Sequence, residues 1–335
     1  MKIHLRRRVA AVAATGLASA ILLAGCSGVQ SPTTSTDAKR ITLAAVIPNT
    51  SDPFWQTLSC GAAAEAKKLG VDLQQFNSTS TDTNTIASNF QSASLIQPDG
   101  MIVNPFTNNQ FVAQYKQLMA KGVPIVTSNA TDPQVNYLTI YSDSDTAGFA
   151  DQLKDTIPSG SGTMVFLGGA PGIPPLETRT QPFVKAVEAM RPDLKVLPTN
   201  YSGFDINKAT SSVASLIIAN PDLKLIIAAD GPDGVGAAAA IKQAGKAGKI
   251  ALIAFDAVPA QVEALRADTI SALIAQDPYG IGAESVSAVV DYLKAHPNGG
   301  AVTPSGSKTK PSVLLTPKNV DDPANKQYLY TASCG

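Results

Sequence analysis

The chain has 335 residues, with 26 basic and 26 acidic side chains and a formal net charge of zero. This balance argues against nucleic-acid binding, which needs an excess of basic side chains to displace counterions from phosphates. Hydrophobic residues make up 44% of the chain, as in a folded globular protein, and the length suits two domains. With only two histidines, His4 and His296, there is little scope for histidine-based catalysis.

The first 25 residues have the layout of a secretory signal peptide. Four basic residues are followed by an uncharged run from Val9 to Ala24. The run leads into the letters LAGC, which resemble the lipobox of bacterial lipoproteins. The resemblance implies that Cys26 becomes the lipidated first residue, and an ordinary cleavage site beside an unrelated cysteine is the alternative. Removing residues 1–25 takes away basic residues only, so the remaining chain is mildly acidic.

Residues 26–40 are rich in Ser, Thr, Pro and Gly and lack an apolar pattern, which predicts a flexible tether. No later stretch has the apolar length of a transmembrane helix. We therefore expect a monomer outside the cytoplasm, held on the outer face of the cell membrane by a lipid anchor alone.

Two further cysteines, Cys60 and Cys334, remain after the lipobox. Thiols tend to oxidise outside the cell, and an even number favours a disulfide there. Such a bond would hold the end of the chain against the first domain. Two unpaired thiols are the alternative.

From residue 41 onward, short β-rich runs alternate with segments of helical period. The predicted strands are residues 41–47, 71–76, 100–103, 124–128 and 137–141, then 162–167, 194–197, 223–228, 250–255 and 270–275. In one helical segment Ile206, Ala209 and Val213 share a face. Repeated βαβ units predict parallel sheets covered by helices on both faces, and two sets of strands predict two doubly wound α/β lobes.

The sequence after the signal peptide has neither a nucleotide-binding glycine pattern nor a metal-binding pattern such as HExxH, CxxC or an EF-hand loop. We therefore expect no cofactor and no metal. His296 lies at a predicted helix end, where a cation suits the helix dipole. A carbohydrate hydrolase that uses Asp230 and Asp256 stays open as an alternative, because glycosidase carboxylates have no fixed spacing in sequence.

Ligands of open α/β sheets bind beyond the carboxyl ends of the strands. The polar and aromatic residues at or near those ends occur in SDPFW, VTSNA, ETRTQPF, SGFD, IIAADG, IAFDAVP and LIAQDP. This order of motifs resembles the ribose-binding type of periplasmic sugar-binding protein, the soluble receptors of ABC importers, over nearly all of residues 41–316. The candidate ligand-binding residues that the resemblance implies are Asp52, Phe54, Trp55, Ser128, Asn129, Arg179, Phe204, Asp230, Asp256 and Gln276.

The resemblance also implies the type I periplasmic binding protein fold, in which three crossing segments join two lobes. Lobe one would comprise residues 41–142 and 277–311, and lobe two residues 143–276 and 312–320. Residues 321–335 would form a C-terminal tail that packs on lobe one. The crossings are expected near residues 142–144, 276–277 and 311–313.

The residue types suit a sugar independently of the resemblance. Aromatic rings provide contact area for C–H faces, while Asp, Asn, Gln and Arg fix the positions of hydroxyl groups. The sequence departs from the family at Ser128 and Asn129, where pentose and many hexose receptors carry an Asp-Arg pair. The implied ligand is therefore a sugar or sugar alcohol of unspecified ring type, handed to an ABC permease. A sensory module for a membrane kinase or chemoreceptor is the alternative with the same sequence features.

Each candidate residue also has a structural interpretation. Phe54 and Trp55 could be core residues at a helix entry, and Asp230 and Asp256 could be helix caps. Arg179 could be a solvated helix residue, and Gln276 could be a hydrogen-bonding residue of the hinge. Asn104 follows the third strand but has no firm match in the family.

Overall fold

The structure is a computed structural model that describes residues 40–107, 109–128 and 135–334. The predicted signal peptide, the predicted lipidation site Cys26, most of the predicted tether and the predicted ligand-binding residue Asn129 lie outside the described residues. Within the described part, no helix combines the length and the apolar character needed to cross a bilayer.

The first sheet of the described chain consists of six parallel strands. They are β1 (Thr42–Val46), β2 (Asp72–Gln75), β3 (Gly100–Val103), β4 (Ile125–Ser128), β5 (Leu138–Ser142) and β11 (Ser307–Lys310). Their order across the sheet is β11-β5-β4-β3-β1-β2. The central strands β3 and β4 are buried along their whole length, as expected when helices cover both faces of a parallel sheet.

A second sheet of six strands is built from the other half of the described chain. Its strands are β6 (Gly162–Leu167), β7 (Leu194–Val196), β8 (Leu223–Ala228), β9 (Ala251–Phe255), β10 (Ala272–Ala275) and β12 (Val313–Leu315). The order is β12-β10-β9-β8-β6-β7, and β12 runs antiparallel to β10 while the other pairs are parallel. The predicted class of two doubly wound α/β lobes is confirmed.

Helices cover both sheets. They are α1 (Pro53–Leu69), α2 (Thr83–Leu95), α3 (Val112–Ala120), α4 (Gly148–Gln152), α5 (Pro174–Met190), α6 (Ile206–Ala219), α7 (Gly231–Gln243), α8 (Pro259–Arg266) and α9 (Pro278–Ala295). Aspartates at the N-caps of α1, α2, α6, α7 and α9 accept hydrogen bonds from backbone N–H groups of the first turn, which otherwise lack partners. We call the first sheet with α1, α2, α3 and α9 lobe one, and the second sheet with α4 to α8 lobe two.

The described chain passes between the sheets at three places: from β5 to α4, from β10 to α9 and from β11 to β12. Hydrogen bonds tie these segments side by side. Ser142 Oγ donates to Gln276 Oε1 over 2.7 Å, and Asp143 N donates to Lys310 O over 2.7 Å. The exact residue limits of the lobes stay a prediction.

A disulfide joins Cys60 in α1 to Cys334, 274 residues later in the chain. The predicted bond is thus present, and the alternative of two unpaired thiols is not. It fixes the end of the described chain to lobe one, near the middle of its first helix.

Helices α1 and α9 of lobe one approach each other closely where glycines face backbone. A β-carbon on Gly61 would overlap the carbonyl oxygen of Tyr279, and a β-carbon on Gly282 would overlap the carbonyl oxygen of Leu58. Only glycine leaves room for this approach, because any side chain would push the two helix axes apart.

We predict that Gly282→Ala lowers the free energy of unfolding by about 2 kcal/mol, because the added methyl group forces α1 and α9 apart. Gly148→Ala is the matched control, since a β-carbon at Gly148 in α4 meets no atom of the described residues outside its own helix within 4 Å. Urea denaturation followed by circular dichroism measures both. Equal losses in the two variants would contradict the close approach of the helices.

Candidate functional site

Polar residues that follow neighbouring strands of lobe two meet at one edge of its sheet. Asp230 follows β8, Asp256 follows β9 and Gln276 follows β10, and these strands are adjacent and parallel. Arg179 reaches the same edge from α5. The topology therefore brings four of the candidate residues together, at the edge where doubly wound sheets bind ligands.

The carboxylate of Asp256 is buried and accepts four hydrogen bonds. Its Oδ1 accepts from Gln276 Nε2 over 2.6 Å and from the Tyr330 hydroxyl over 3.3 Å. Its Oδ2 accepts from Gly231 N over 3.2 Å and from Arg179 Nη2 over 3.3 Å. A charged carboxylate can be buried at acceptable cost only when it is paired and hydrogen-bonded in this way. Asp256 does not cap the helix that follows it, because α8 begins only at Pro259.

Two acceptors hold the Nη2 of Arg179, whereas its Nε is left unused by the described residues. Its Nη2 donates to Ala229 O over 2.9 Å as well as to Asp256, and its guanidinium lies 6.0 Å from the centroid of the Phe255 ring. Its Nε is buried and has no hydrogen-bond partner among the described residues. Arg179 is thus a nearly buried residue with 14% side-chain exposure, and the solvated-helix interpretation does not hold.

Asp230 caps α7 with one oxygen and keeps the other unpaired. Its Oδ1 accepts from Asp233 N over 2.9 Å, whereas its Oδ2 is buried and lacks a hydrogen-bond partner within the described chain. Burial, followed by the negative charge of Asp233, raises the pKa of Asp230 well above its usual range. The site therefore contains a second carboxyl group, that of Asp230. Its raised pKa favours the protonated form, and its Oδ2 has no hydrogen-bond partner among the described residues.

Gly169 allows Asp230 and Phe204 to lie side by side, since a β-carbon at this position would collide with both. Phe204 has a φ of 63° and Asp256 a φ of 74°, in the left-handed region that bulky residues seldom adopt. Backbone strain of this kind persists only where the surrounding structure imposes it, and it is concentrated at binding and catalytic sites.

Lobe one contributes Asp52, Phe54 and Trp55 from the start of α1. Asp52 Oδ1 accepts from Phe54 N over 2.8 Å, and the Phe54 ring packs edge-on against the half-buried Trp55 with centroids 4.9 Å apart. Burial raises the pKa of Asp52 to about 6; the hydrogen bond from Phe54 lowers it, and the charge of Asp256 raises it. Asp52 therefore lies close enough to lobe two for the negative charge of Asp256 to raise its pKa.

Ser128 does not join this group. Its Oγ pairs with Ser285 Oγ of α9 over 3.0 Å, and its carbonyl oxygen accepts from Asn104 Nδ2 over 2.7 Å. The Ser128 side chain is fully buried inside lobe one, so the prediction that it contacts a ligand gains no support from its position. Asn104 is also fully buried, and its Oδ1 has no hydrogen-bond partner in the described part of the chain.

Tyr330 belongs to the cluster although the sequence did not indicate it. It lies beyond the last strand, outside every strand and helix of the two lobes. Its hydroxyl donates to Asp256 Oδ1 and accepts from Gln276 N over 3.2 Å, and its ring centroid is 5.7 Å from that of Phe54. No local pattern around residue 330 could have revealed a contact with Asp256, which lies 74 residues earlier.

A cavity of about 230 Å³ lies at the opposite edge of the lobe-two sheet. Its lining includes Lys224, Lys246 and Lys249, near the amino ends of β8 and β9. Because doubly wound sheets bind their ligands at the carboxyl ends of the strands, this cavity is not the candidate site.

Residues 43–297 match the periplasmic binding protein domain family. The protein is a member of this family. The predicted resemblance to the periplasmic sugar-binding proteins of ABC importers is confirmed by this match and by the relatives of the chain.

This binding protein is similar to characterised relatives over most of its length. It is 28% identical over 255 residues to the ribose import binding protein of Salmonella typhimurium, covering 76% of this chain and 85% of that one. It is 26% identical over 267 residues to the D-allose-binding periplasmic protein of Escherichia coli, covering 75% of this chain and 84% of that one. A solved ABC transporter solute-binding protein of Agrobacterium vitis, bound with α-D-tagatopyranose, superposes with a TM-score of 0.75 at 26% identity, covering 87% of this chain and 100% of that one.

We predict that Asp52→Asn stabilises the binding protein at pH 7 but not at pH 4. The pKa of Asp52 is raised in the folded state, so the folded protein binds the proton more tightly than the unfolded chain, and its stability falls as the pH rises towards 6. Asparagine keeps the helix cap and removes this titration. The difference in free energy of unfolding between variant and wild type should grow by about 2 kcal/mol from pH 4 to pH 7.

Asp82→Asn is the control for this prediction. Asp82 caps α2, but hydrogen bonds from the backbone and side chain of Thr85 lower its pKa, so its contribution to stability changes with pH in the opposite direction. Urea titrations at pH 4, 5.5 and 7 measure both variants. The same pH dependence for the two variants would show that the Asp52 carboxyl does not carry the raised pKa.

Proposed function

We propose that the protein is an extracytoplasmic receptor that captures a sugar or sugar alcohol between its lobes and delivers it to an ABC permease. The observation that carries the proposal is the buried cluster of Arg179, Asp230, Asp256 and Gln276, in which Asp230 Oδ2 and Arg179 Nε lack hydrogen-bond partners among the described residues. Unpaired buried polar atoms are costly, and ligand hydroxyl groups would satisfy them.

The residue types at the cluster match the two surfaces of a sugar. Hydroxyl groups both donate and accept hydrogen bonds, so they suit a guanidinium donor beside carboxyl acceptors. The half-buried ring of Phe204 lies beside Asp230, and the half-buried ring of Trp55 lies at the start of α1; both would supply apolar contact for C–H faces. A ligand without a hydroxyl at the Asp230 oxygen would leave that atom unpaired, which provides discrimination.

A ligand at this position would contact both lobes. Asp52 and Trp55 belong to lobe one, whereas Arg179 and Asp230 belong to lobe two. Ligand binding drives lobe closure only through contacts that are stronger in the closed form than in the open form. Bridging the lobes supplies such contacts, and closure would present a joint surface of both lobes to the permease.

The ligand is not assumed to be that of any relative. The relatives above are named for ribose and D-allose, and the solved neighbour holds α-D-tagatopyranose. In this chain the Ser128 side chain is hydrogen-bonded to Ser285. Ser128 and Asn129 stand where pentose receptors carry a charged Asp-Arg pair. We infer fewer charged contacts from lobe one, which favours a ligand held mainly by lobe two.

The proposed role requires no bond in the ligand to be broken. Asp256 accepts four hydrogen bonds, one of them from Arg179, and this arrangement fixes its carboxylate in place instead of preparing it for proton transfer. Release of products from glycosides on prolonged incubation would favour the hydrolase alternative.

Intrinsic fluorescence provides a direct test, because Trp55 is the single tryptophan of the chain. We predict that at least one member of a panel of D-ribose, D-allose, D-tagatose, D-arabinose and the corresponding sugar alcohols changes the Trp55 emission in a saturable way. Arg179→Lys should weaken that binding by about tenfold or more, because lysine keeps the charge but loses the planar set of donors.

The matched control for this variant is Lys185→Arg, the reverse exchange on the exposed face of α5. It should leave the affinity within about twofold of wild type, as expected for a surface change. Absence of any saturable response across the panel would contradict the proposed function. Equal affinities of wild type and Arg179→Lys would contradict the role of Arg179.

We further propose that Cys26 carries the lipid that attaches the protein to the membrane. The charged start, apolar run and lipobox-like LAGC of the sequence support this proposal. Cys26→Ala should release the protein from the membrane fraction and abolish metabolic labelling with a radioactive fatty acid, whereas Cys60→Ala should keep both. Continued labelling of Cys26→Ala would contradict the anchor.

A further inference from the structure

Residues 316–334, which we call the strap, follow the last strand of lobe two and return to lobe one. They lie beyond residues 43–297, the part of the chain that matches the family. The sequence predicted a tail that packs on lobe one. In the structure the strap contacts lobe two as well as lobe one.

Hydrogen bonds attach the strap to lobe two at both ends of its length. Asp321 Oδ1 accepts from Arg266 Nη2 of α8 over 2.6 Å. Tyr330 N donates to Ala257 O over 3.1 Å, and the Tyr330 hydroxyl donates to Asp256 Oδ1 over 3.3 Å. The last two contacts fall on the segment that directly follows β9 and carries the strained Asp256.

Other contacts attach the strap to lobe one. Thr331 N donates to Thr57 Oγ1 in α1 over 2.8 Å, and Cys334 is bonded to Cys60 in the same helix. The Tyr330 ring packs against Phe54. Adjacent residues of the strap, 330 and 331, therefore hold opposite lobes, so only one peptide unit separates the two attachments.

The Tyr330 hydroxyl is built into the polar cluster. The residue is 5% exposed, and burial raises the pKa of its phenol well above the usual range, so the group stays a neutral donor. It accepts from Gln276 N and donates to the same Asp256 oxygen that accepts from Gln276 Nε2. Removing it would leave a buried N–H without its acceptor and Asp256 Oδ1 with one donor fewer.

We propose that Tyr330 is a positioning residue of the ligand-binding site, and that the strap, cross-linked through Cys334, holds it there. The proposal rests on the proposed function. Tyr330 acts through Asp256: it fixes the rotation of the carboxylate, and the carboxylate fixes the Arg179 guanidinium that faces the ligand. The C-terminal segment is thereby a working part of the site as well as a support for lobe one.

The first test compares Tyr330→Phe with wild type by titrating the Trp55 fluorescence with whichever of D-ribose, D-allose, D-tagatose and D-arabinose the wild type binds. Phenylalanine keeps the packing against Phe54 and removes only the hydroxyl. We expect affinity to fall by about five- to twentyfold, the effect of one lost hydrogen bond to a charged group. Tyr328→Phe, on the same strap but outside the Asp256 cluster, should stay within about twofold of wild type.

A double-mutant cycle separates positioning from general stabilisation. If Tyr330 acts through Asp256, then Tyr330→Phe should weaken binding much less in an Asp256→Asn background than in wild type. A loss of the same size in both backgrounds would show that the hydroxyl acts independently of Asp256 and would overturn the proposal.

The role of the cross-link is tested with Cys60→Ser/Cys334→Ser. We expect this double variant to bind the same sugar about two- to fivefold more weakly, because the strap then holds Tyr330 through non-covalent contacts alone. Wild-type affinity in the double variant would overturn the role of the bond. Should Tyr330→Phe fail to fold, as judged by circular dichroism, the Cys60→Ser/Cys334→Ser variant supplies the test of the strap.

Different results would contradict the proposed function and the role of Tyr330. A wild-type protein that binds no sugar or sugar alcohol contradicts the proposed function and this inference with it. A wild-type protein that binds a sugar, together with Tyr330→Phe of equal affinity, overturns this inference and leaves the proposed function standing.

Discussion

The charge of Asp256 is the feature to which the rest of the site is adapted. An unpaired carboxylate at such depth would cost several kcal/mol, so the fold supplies partners from four separate segments. Arg179 comes from α5, Gly231 from the start of α7, Gln276 from a lobe crossing and Tyr330 from the strap. All four donate to the same carboxylate, and together they join lobe two, a lobe crossing and the strap in one hydrogen-bonded group.

This arrangement connects structure with ligand capture. Arg179, which pairs with Asp256, has an Nε without a hydrogen-bond partner in the described chain, and the same holds for Oδ2 of the neighbouring Asp230. Asp52 approaches from lobe one with a pKa raised to about 6, which reports burial and the charge of Asp256 across the junction of the lobes. A polyhydroxylated ligand that satisfies these atoms would gain hydrogen bonds without paying to separate existing ones, and it would hold the two lobes together.

Much of this could be predicted from the sequence because it depends on local patterns and on topology. Alternating β-rich runs and helical periods predicted the ten strands from β1 to β10, and the rule that ligands bind at carboxyl ends directed attention to Asp230, Asp256 and Gln276. The pattern did not reveal β11, whose letters SKTK are polar and exposed, or β12, which has three residues. Strands β11 and β12 form because β5 and β10 offer edges with which they can pair. Their formation therefore depends on the rest of each sheet and not on a local sequence pattern.

Other features of the site could not be predicted from the sequence for similar physical reasons. Ser128 ends β4, which is buried on both faces, so alternation could not tell whether its side chain points to a ligand or to Ser285. Tyr330 meets Asp256 only because the chain returns across both lobes and is fixed by Cys334, and no local signal encodes that path. Asn129 lies outside the described residues, and its predicted contact with a ligand stays a prediction.

The most direct measurement is a crystal structure of the protein with a bound sugar or sugar alcohol, obtained by co-crystallisation with the tightest ligand of a broad panel. The account predicts ligand oxygens within about 3 Å of Asp230 Oδ2 and of the Arg179 guanidinium, with Asp52 or Trp55 contacting the same molecule from lobe one. A ligand seated elsewhere, with Asp230 Oδ2 still unpaired, would contradict it.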